Sequence, residues 1–202
     1  MNYLKKGSLM HNIDQLLAWI KENRPTLFLD RDGVINKRIP GAYVEKVEQF
    51  NFFPNLAENF KILNKFFSRV LVVTNQQGIG KELMTHEDLA VVHEYMLFEI
   101  EMNDGLVDAI YYCPELAEFD PSCRKPNPGM ALEAKANFAD IEFGNSLMVG
   151  DSESDIQFGN QLGMKTLLVK TKKGEAQKMA EHGTEANFEI DTLLDFIRHL
   201  SV

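Results

Sequence analysis

Asp30 and Asp32 stand two residues apart where the apolar run Thr26–Leu29 gives way to Asp30-Arg31-Asp32-Gly33. On an extended strand, side chains at i and i+2 share a face. Two carboxylates held close repel, and a hard cation with oxygen ligands, typically Mg²⁺, relieves that repulsion. A carboxylate can also act as a nucleophile in phosphoryl transfer, forming an aspartyl-phosphate. A second carboxyl nearby can protonate the leaving oxygen and later deprotonate water. Alone, Asp-x-Asp-Gly reads more readily as a polar turn after a strand. Its neighbours in space decide between the two.

Those neighbours come from other apolar runs. Val70–Val73 leads into Thr74-Asn75-Gln76-Gln77-Gly78, Ala109–Tyr112 leads on to Arg124-Lys125-Pro126, and Leu147–Val149 into Gly150-Asp151 and Asp155. A transferred phosphoryl group carries charge on its equatorial oxygens, so catalysis is largely positioning and neutralisation. The Thr74 hydroxyl and the Lys125 ammonium are donors of the right kind, and Asp151 can complete a metal site with the first pair. Taken singly, Thr74 is a strand-end hydroxyl and Lys125 a surface lysine. Pro121 and Pro126 flank Arg124-Lys125 and predict a rigid presentation.

The elements that must position these groups are legible as a pattern. Five short apolar runs (the four above and Thr166–Val169) are continuous rather than alternating, as in strands buried on both faces of a parallel sheet. Helix-period segments separate most of them: Leu56, Phe60, Leu63 and Phe67 repeat at helical spacing. Thr85 to Asp88 forms a capping box before a run that ends at Asn103-Asp104-Gly105. Asn127 and Pro128 are read as N-cap and first helical residue, Leu162-Gly163 as a stop, and Asp191 as the cap of a last helix through Leu194, Ile197 and Leu200. The alternation predicts an open α/β sheet covered on both sides, with ligands beyond the carboxyl ends of its strands. Residues 1–25 are read as an appended helix, with Ile13, Leu16, Leu17 and Ile20 on one face and Pro25 ending it. The working domain is 26–202, and the irregular stretch Ile35–Phe53, with Pro40-Gly41, is a flap.

Composition narrows the function. Thirty acidic against twenty-one basic residues among 202 give a net charge of −9, which argues against nucleic acid or an anionic membrane as partner. No apolar stretch approaches the ~20 residues that span a bilayer. Two cysteines cannot build a disulfide framework, and together these features predict a cytoplasmic protein. The five histidines show no ligand spacing and are read as surface or interface residues. Lys170, Lys172 and Lys173 are read as a solvated face, with contact to a second phosphate as the alternative, for which Arg124 and Arg38 are the other candidate cations. Trp19 is a candidate contact with a second copy, so a monomer or weak homodimer is expected.

The four segments Phe28–Asn36, Val73–Gly80, Cys123–Met130 and Val149–Ile156 resemble, in order and spacing, the four motifs of the haloacid dehalogenase superfamily. Within it they are similar to the branch that holds heptose-bisphosphate and histidinol phosphatases. The resemblance implies a Rossmann-like three-layer sandwich without a large cap domain, and Mg²⁺-dependent hydrolysis of a phosphate monoester. Asp30 would be the nucleophile, Asp32 the general acid/base, Thr74 the phosphoryl-binding hydroxyl and Lys125 its counter-charge. Mg²⁺ would take the Asp30 carboxylate, the Asp32 backbone carbonyl and Asp151. Tyr43, Asn75, Gln76 and Arg124 would face the substrate, and Asp155 would orient Lys125 or the metal's surroundings. The expected substrate is a small phosphorylated metabolite: a sugar phosphate such as D-glycero-D-manno-heptose 1,7-bisphosphate, or alternatively histidinol phosphate. A silent binder on the same fold is the alternative of another class, against which the intact Asp30/Asp32 pair argues.

One segment departs from the branch. Many members carry a zinc loop of the form Cys-x-His, then Cys-x-Cys before the Arg-Lys-Pro. Here Glu115 and Pro121 replace two of those ligands, so zinc is not expected. Cys113 and Cys123 are left to pair as a loop disulfide or to pack as small apolar residues.

Overall fold

Leu27 and Leu29 point one way from their strand and Phe28 the other, and each is fully buried. A strand that is apolar on both faces needs a layer on each side. The computed structural model, which describes residues 3–201 and side chains from Ile13 on, shows those layers. Six strands form one sheet: β1 (Thr26–Leu29), β2 (Arg69–Asn75), β3 (Ala109–Cys113), β4 (Ser146–Gly150), β5 (Lys165–Val169) and β6 (Phe188–Ile190). Their order is β3-β2-β1-β4-β5-β6 and every pairing is parallel. Among the described residues seven α-helices surround it: α1 (Tyr3–Asn23), α2 (Leu56–Phe66), α3 (His86–Glu101), α4 (Gly129–Asn137), α5 (Glu153–Gln161), α6 (Glu175–His182) and α7 (Leu193–Leu200).

The two layers divide the apolar residues cleanly. Leu27, Leu29, Val70, Val72, Leu147, Val149, Leu167 and Val169 pack with residues of α1, α2, α3 and α7. Phe28, Leu71, Val73 and Met148 pack with Met130, Ala131 and Ala134 of α4 and Phe158 of α5. Ile156, Leu168 and Met179 add α6 to that second side. The result is the expected Rossmann-like sandwich, and no cap domain interrupts it. Between β1 and α2 the described chain forms only a short 3₁₀ turn, Val47–Gln49, and bridges of Asn36 to Asp32 and Phe52. In this strand order the direction of winding reverses between β1 and β4, where a crevice opens at the carboxyl ends. Asp30 leaves β1 at that point and Asp151 leaves β4.

Several local expectations shift. The sheet has a sixth strand, β6, whose three residues are too few to register as an apolar run. Helix α6 was likewise not foreseen. Helix α1 spans Tyr3–Asn23, and its Ile13, Leu16, Leu17 and Ile20 join the main core. Two caps move by one residue. Pro128, not Asn127, is the N-cap of α4, and the Asn127 side chain bonds Asp120 instead. Thr192, not Asp191, caps α7, accepting from the Asp195 amide at 3.1 Å. The Thr85 capping box and the stop at Leu162-Gly163, with Gly163 at φ 72°, stand as read. Cys113 and Cys123 form a disulfide, so the first of the two alternatives for that pair holds. Trp19 packs partly buried against the core, with the Lys165 ammonium 4.9 Å from its ring centre.

Candidate active site

The Asp30 amide donates to the Val149 carbonyl at 2.9 Å, so the ladder between β1 and β4 continues one residue past β1 and delivers the Asp30 carboxylate into the crevice. One oxygen from each of Asp30, Asp151 and Asp155 lies within 4.8 Å of the other two, and all three residues are buried. Two glycines make that approach possible. A Cβ at Gly33, where φ is +97°, would collide with the Asp151 carboxylate, and one at Gly150 with Asp155. Only glycine combines such a φ with no side chain.

Lys125 supplies the counter-charge. Its ammonium lies 2.8 Å from Asp30 Oδ1, 2.6 Å from Asp155 Oδ1 and 2.6 Å from the Val73 carbonyl. It is fixed from behind by Asn75, whose amide side chain accepts from the Lys125 amide at 3.0 Å and donates to the Lys125 carbonyl at 3.1 Å. Asp155 is itself committed, since its Oδ2 also accepts from the Ser152 amide at 3.0 Å. Burial lowers the Lys125 ammonium, but the charges of Asp155 and Asp30 outweigh it and the pKa rises.

Asp32 is held differently. Arg31 Nη2 donates to both of its oxygens at 3.0 and 2.9 Å, Asn36 to Oδ1 at 2.9 Å and Gln76 to Oδ2 at 2.9 Å. Burial would raise its pKa. The Arg31 charge and these bonds more than reverse that and keep the carboxyl below its ordinary range. Asp30 and Asp151 go the other way. Burial raises both, against the pull of Lys125 on Asp30 and of Arg38 on Asp151, and Asp151 reaches about 7. Two buried carboxylates with raised pKa values, offering only oxygen, fit a hard divalent cation. The oxygens that could hold one are those of Asp30, Asp151 and the Asp32 carbonyl. Arg38 already reaches the last two: Nη2 is 2.9 Å from the Asp32 carbonyl and 2.7 Å from Asp151 Oδ1.

These groups open into a cavity of about 380 Å³ that is lined by Asp30, Asp32, Thr74, Asn75, Lys125 and Asp155 on its floor. Tyr43, Arg38 and Arg124 stand at its sides with Lys172, the one lysine of the Lys170–Lys173 run that reaches the cavity. Gln76 is not among the lining residues. It lies buried behind the floor, bridging Asp32 and the Thr74 hydroxyl at 2.8 Å, so it faces those two groups rather than the cavity. Sequence reasoning passed over Arg31, Asn36 and His93, and offered Arg38 only as a candidate cation for a second phosphate. Leu89, His93, Met96 and Ile100 form one buried helical stripe, so the period that marks the core of α3 also marks His93. His93 is buried, contrary to the expectation for the histidines.

The chain is similar to known proteins over most of its length. A family model of HAD-hydrolase-like proteins matches residues 122–196. The D-glycero-alpha-D-manno-heptose-1,7-bisphosphate 7-phosphatase of Campylobacter jejuni is 40% identical over 146 residues, 71% of this chain and 80% of the relative. The D-glycero-beta-D-manno-heptose-1,7-bisphosphate 7-phosphatase of Salmonella typhi is 34% identical over 179 residues, 85% of this chain and 92% of the relative. Among solved structures, the D,D-heptose 1,7-bisphosphate phosphatase of B. bronchiseptica, complexed with magnesium and phosphate, has a TM-score of 0.78 at 29% identity, covering 88% of this chain and 98% of that one. With such similarity over most of both chains, the protein belongs to the haloacid dehalogenase-like hydrolases and is a phosphatase.

Proposed function

We propose that the protein removes one phosphate from a heptose 1,7-bisphosphate, with Asp30 as nucleophile and Mg²⁺ held by Asp30, Asp151 and the Asp32 carbonyl. The reading rests on the buried Asp30, Asp151 and Asp155 oxygens gathered at the sheet's switch point with Lys125 on Asp30. Bound there, Mg²⁺ supplies charge neutralisation for the phosphoryl oxygens and favours the ionised Asp30. Asp30 attacks phosphorus, the sugar oxygen leaves with a proton from Asp32, and an aspartyl-phosphate remains. Asp32 then takes a proton from water, whose oxygen attacks that phosphorus and frees phosphate and Asp30. The Arg31, Asn36 and Gln76 bonds keep the resting Asp32 ionised, so it acquires the proton it passes on from the phosphate monoester itself, whose second pKa is about 6.

Thr74 and Lys125 bind the reacting phosphoryl group. The second phosphate falls to Arg124 and Lys172 at the cavity wall, supported by the buried Arg124 Nη1, which has no hydrogen-bond partner among the described residues. Tyr43 and Asn75 border the sugar. A cavity open at the mouth with fixed cations at its sides suits a small, doubly phosphorylated metabolite. The test is phosphate release from the alpha and beta anomers of the heptose bisphosphate and from histidinol phosphate, with Mg²⁺, in wild type and Asp30→Asn. At least one anomer should exceed histidinol phosphate in kcat/KM by about 100-fold, roughly two charge-assisted contacts, and Asp30→Asn should abolish turnover. A preference for histidinol phosphate would overturn the substrate, and turnover by Asp30→Asn the nucleophile.

A further inference from the structure

His93 lines no part of the cavity, yet it reaches the catalytic carboxyl through one intermediary. Arg31 Nη1 lies 3.0 Å from His93 Nε2, and both residues are buried, Arg31 completely. Arginine can only donate, so Nε2 accepts and the imidazole is neutral with its hydrogen on Nδ1. Burial, joined by the Arg31 charge, pushes His93 down to about 3, so it remains an acceptor across the neutral range. The other end of the same guanidinium, Nη2, meets both oxygens of Asp32.

A guanidinium is planar and rigid. Fixing Nη1 therefore fixes the plane in which Nη2 meets the carboxylate. The Phe50 ring, 5.9 Å from the guanidinium carbon, and the Tyr112 ring, edge-on to His93 at 6.0 Å, pack this pair. Along the same stripe of α3, Leu89, Met96 and Ile100 fill their space with apolar groups. A histidine at position 93 adds to that packing a directed acceptor, aimed at the one cation that forks onto Asp32.

We propose that His93 is a positioning residue for proton transfer: through Arg31 it holds the Asp32 carboxyl in line with the leaving oxygen of an alkyl phosphate. The inference deepens the function proposed above and rests on Asp32 as general acid/base. Misorientation of that group hurts a leaving group that needs a proton and spares one that does not. General acid catalysis contributes about 10²–10⁴-fold, and loss of orientation forfeits part of it.

The experiment compares kcat/KM, which reports the first irreversible step, for the sugar phosphate and for 4-nitrophenyl phosphate, whose leaving group departs unprotonated. The proteins are wild type, Asp32→Asn, His93→Phe and His93→Gln. His93→Phe should lose about 10- to 100-fold on the sugar phosphate and under about threefold on the aryl ester. His93→Gln, whose side-chain oxygen still accepts from Arg31, should return the sugar phosphate to within about threefold of wild type. If His93→Phe does not fold, His93→Met, which fills the space as Met96 does, replaces it. Equal losses on both esters, or no recovery with Gln, overturn the positioning role while leaving Asp32 intact as acid. A uniform loss in Asp32→Asn instead removes the general-acid reading and this inference with it.

Discussion

Asp32 and Asp151 follow the two strands that border the same crevice, yet their surroundings oppose each other. Asp32 is wrapped by fixed, mostly buried donors from Arg31, Asn36 and Gln76, and its carboxyl titrates low. Asp151 meets Arg38, whose side chain is 41% exposed and sits on the irregular flap, and its carboxyl rises to about 7. Preorganised donors stabilise an ionised group without any further ligand. A buried carboxylate without enough of them is stabilised by a cation that arrives. The first arrangement suits a group that must hold one orientation while it moves protons. The second suits a ligand that must bind and release an ion.

Lys125 sits on Asp30 and Asp155, and among the charge changes that probe this contrast its replacement should have the largest effect. Lys125→Met leaves Asp30 and Asp155 facing each other in a buried site without their shared cation. Removing one partner of a buried ion pair costs about 3–5 kcal/mol, and urea unfolding with chelator present should show a loss of that size. Turnover should fall by more than about 100-fold, the scale of a lost charge-assisted phosphate contact together with a disturbed nucleophile. A stability loss under about 1 kcal/mol would mean that the pair is solvated rather than buried.

The pH dependence of metal binding separates the two carboxyls next. Asp151 titrates near 7 in the folded protein against an ordinary 3.8. Between those values the native state holds a proton that the unfolded chain releases, so this group's contribution to the stability of the metal-free protein falls as pH rises from about 4 to 7. A cation must displace that proton. Calorimetric titration with Mg²⁺ should therefore show affinity weakening by about tenfold per pH unit below 7, more steeply if Asp30 joins, and a plateau above it. Asp32, already ionised, adds nothing to that slope. A flat profile from pH 5.5 to 7.5 would sink the contrast between the two groups.

The sequence discloses the two regimes unequally. Asp30, Thr74, Lys125 and Asp151 could be brought to one edge because each follows a continuous apolar run or the loop after one, and strands buried on both faces leave little choice of direction. Arg31 could not be read this way. Between two acids at a strand end it looks like an exposed turn residue, and its complete burial depends on Phe50 and on His93, 62 residues away on α3. Gln76 was placed on the right turn but assigned the wrong outlook, because backbone curvature after β2 decides which of Asn75, Gln76 and Gln77 faces the cavity. Strand β6 and helix α6 are short elements held by tertiary packing, which local periodicity does not report. The caps at Pro128 and Thr192 each lie one residue from an equally plausible Asn or Asp, a distinction settled by the neighbouring loop rather than by propensity.

Arg38 offers the finest probe of the Asp151 side. Its guanidinium and a divalent cation require the same oxygens, those of Asp151 and the Asp32 carbonyl, so the two compete. The strength of the competitor follows from its exposure. A pair between a buried carboxylate and a part-exposed arginine is worth about 1 kcal/mol after solvent screening. When a competent state is only partly populated, apparent affinity falls by that fraction, so Arg38→Met should tighten Mg²⁺ binding by about fivefold at pH 7.5. The same substitution should lower the stability of the metal-free protein by about 1 kcal/mol and leave the metal-saturated protein nearly unchanged. Weaker Mg²⁺ binding in Arg38→Met would reverse the relation and make Arg38 a support for the ion's surroundings. Lys at this position separates charge from shape. If the effect is repulsion alone, Arg38→Lys binds Mg²⁺ as wild type does, whereas a guanidinium that bridges two oxygens loses that bridge and shows an intermediate affinity.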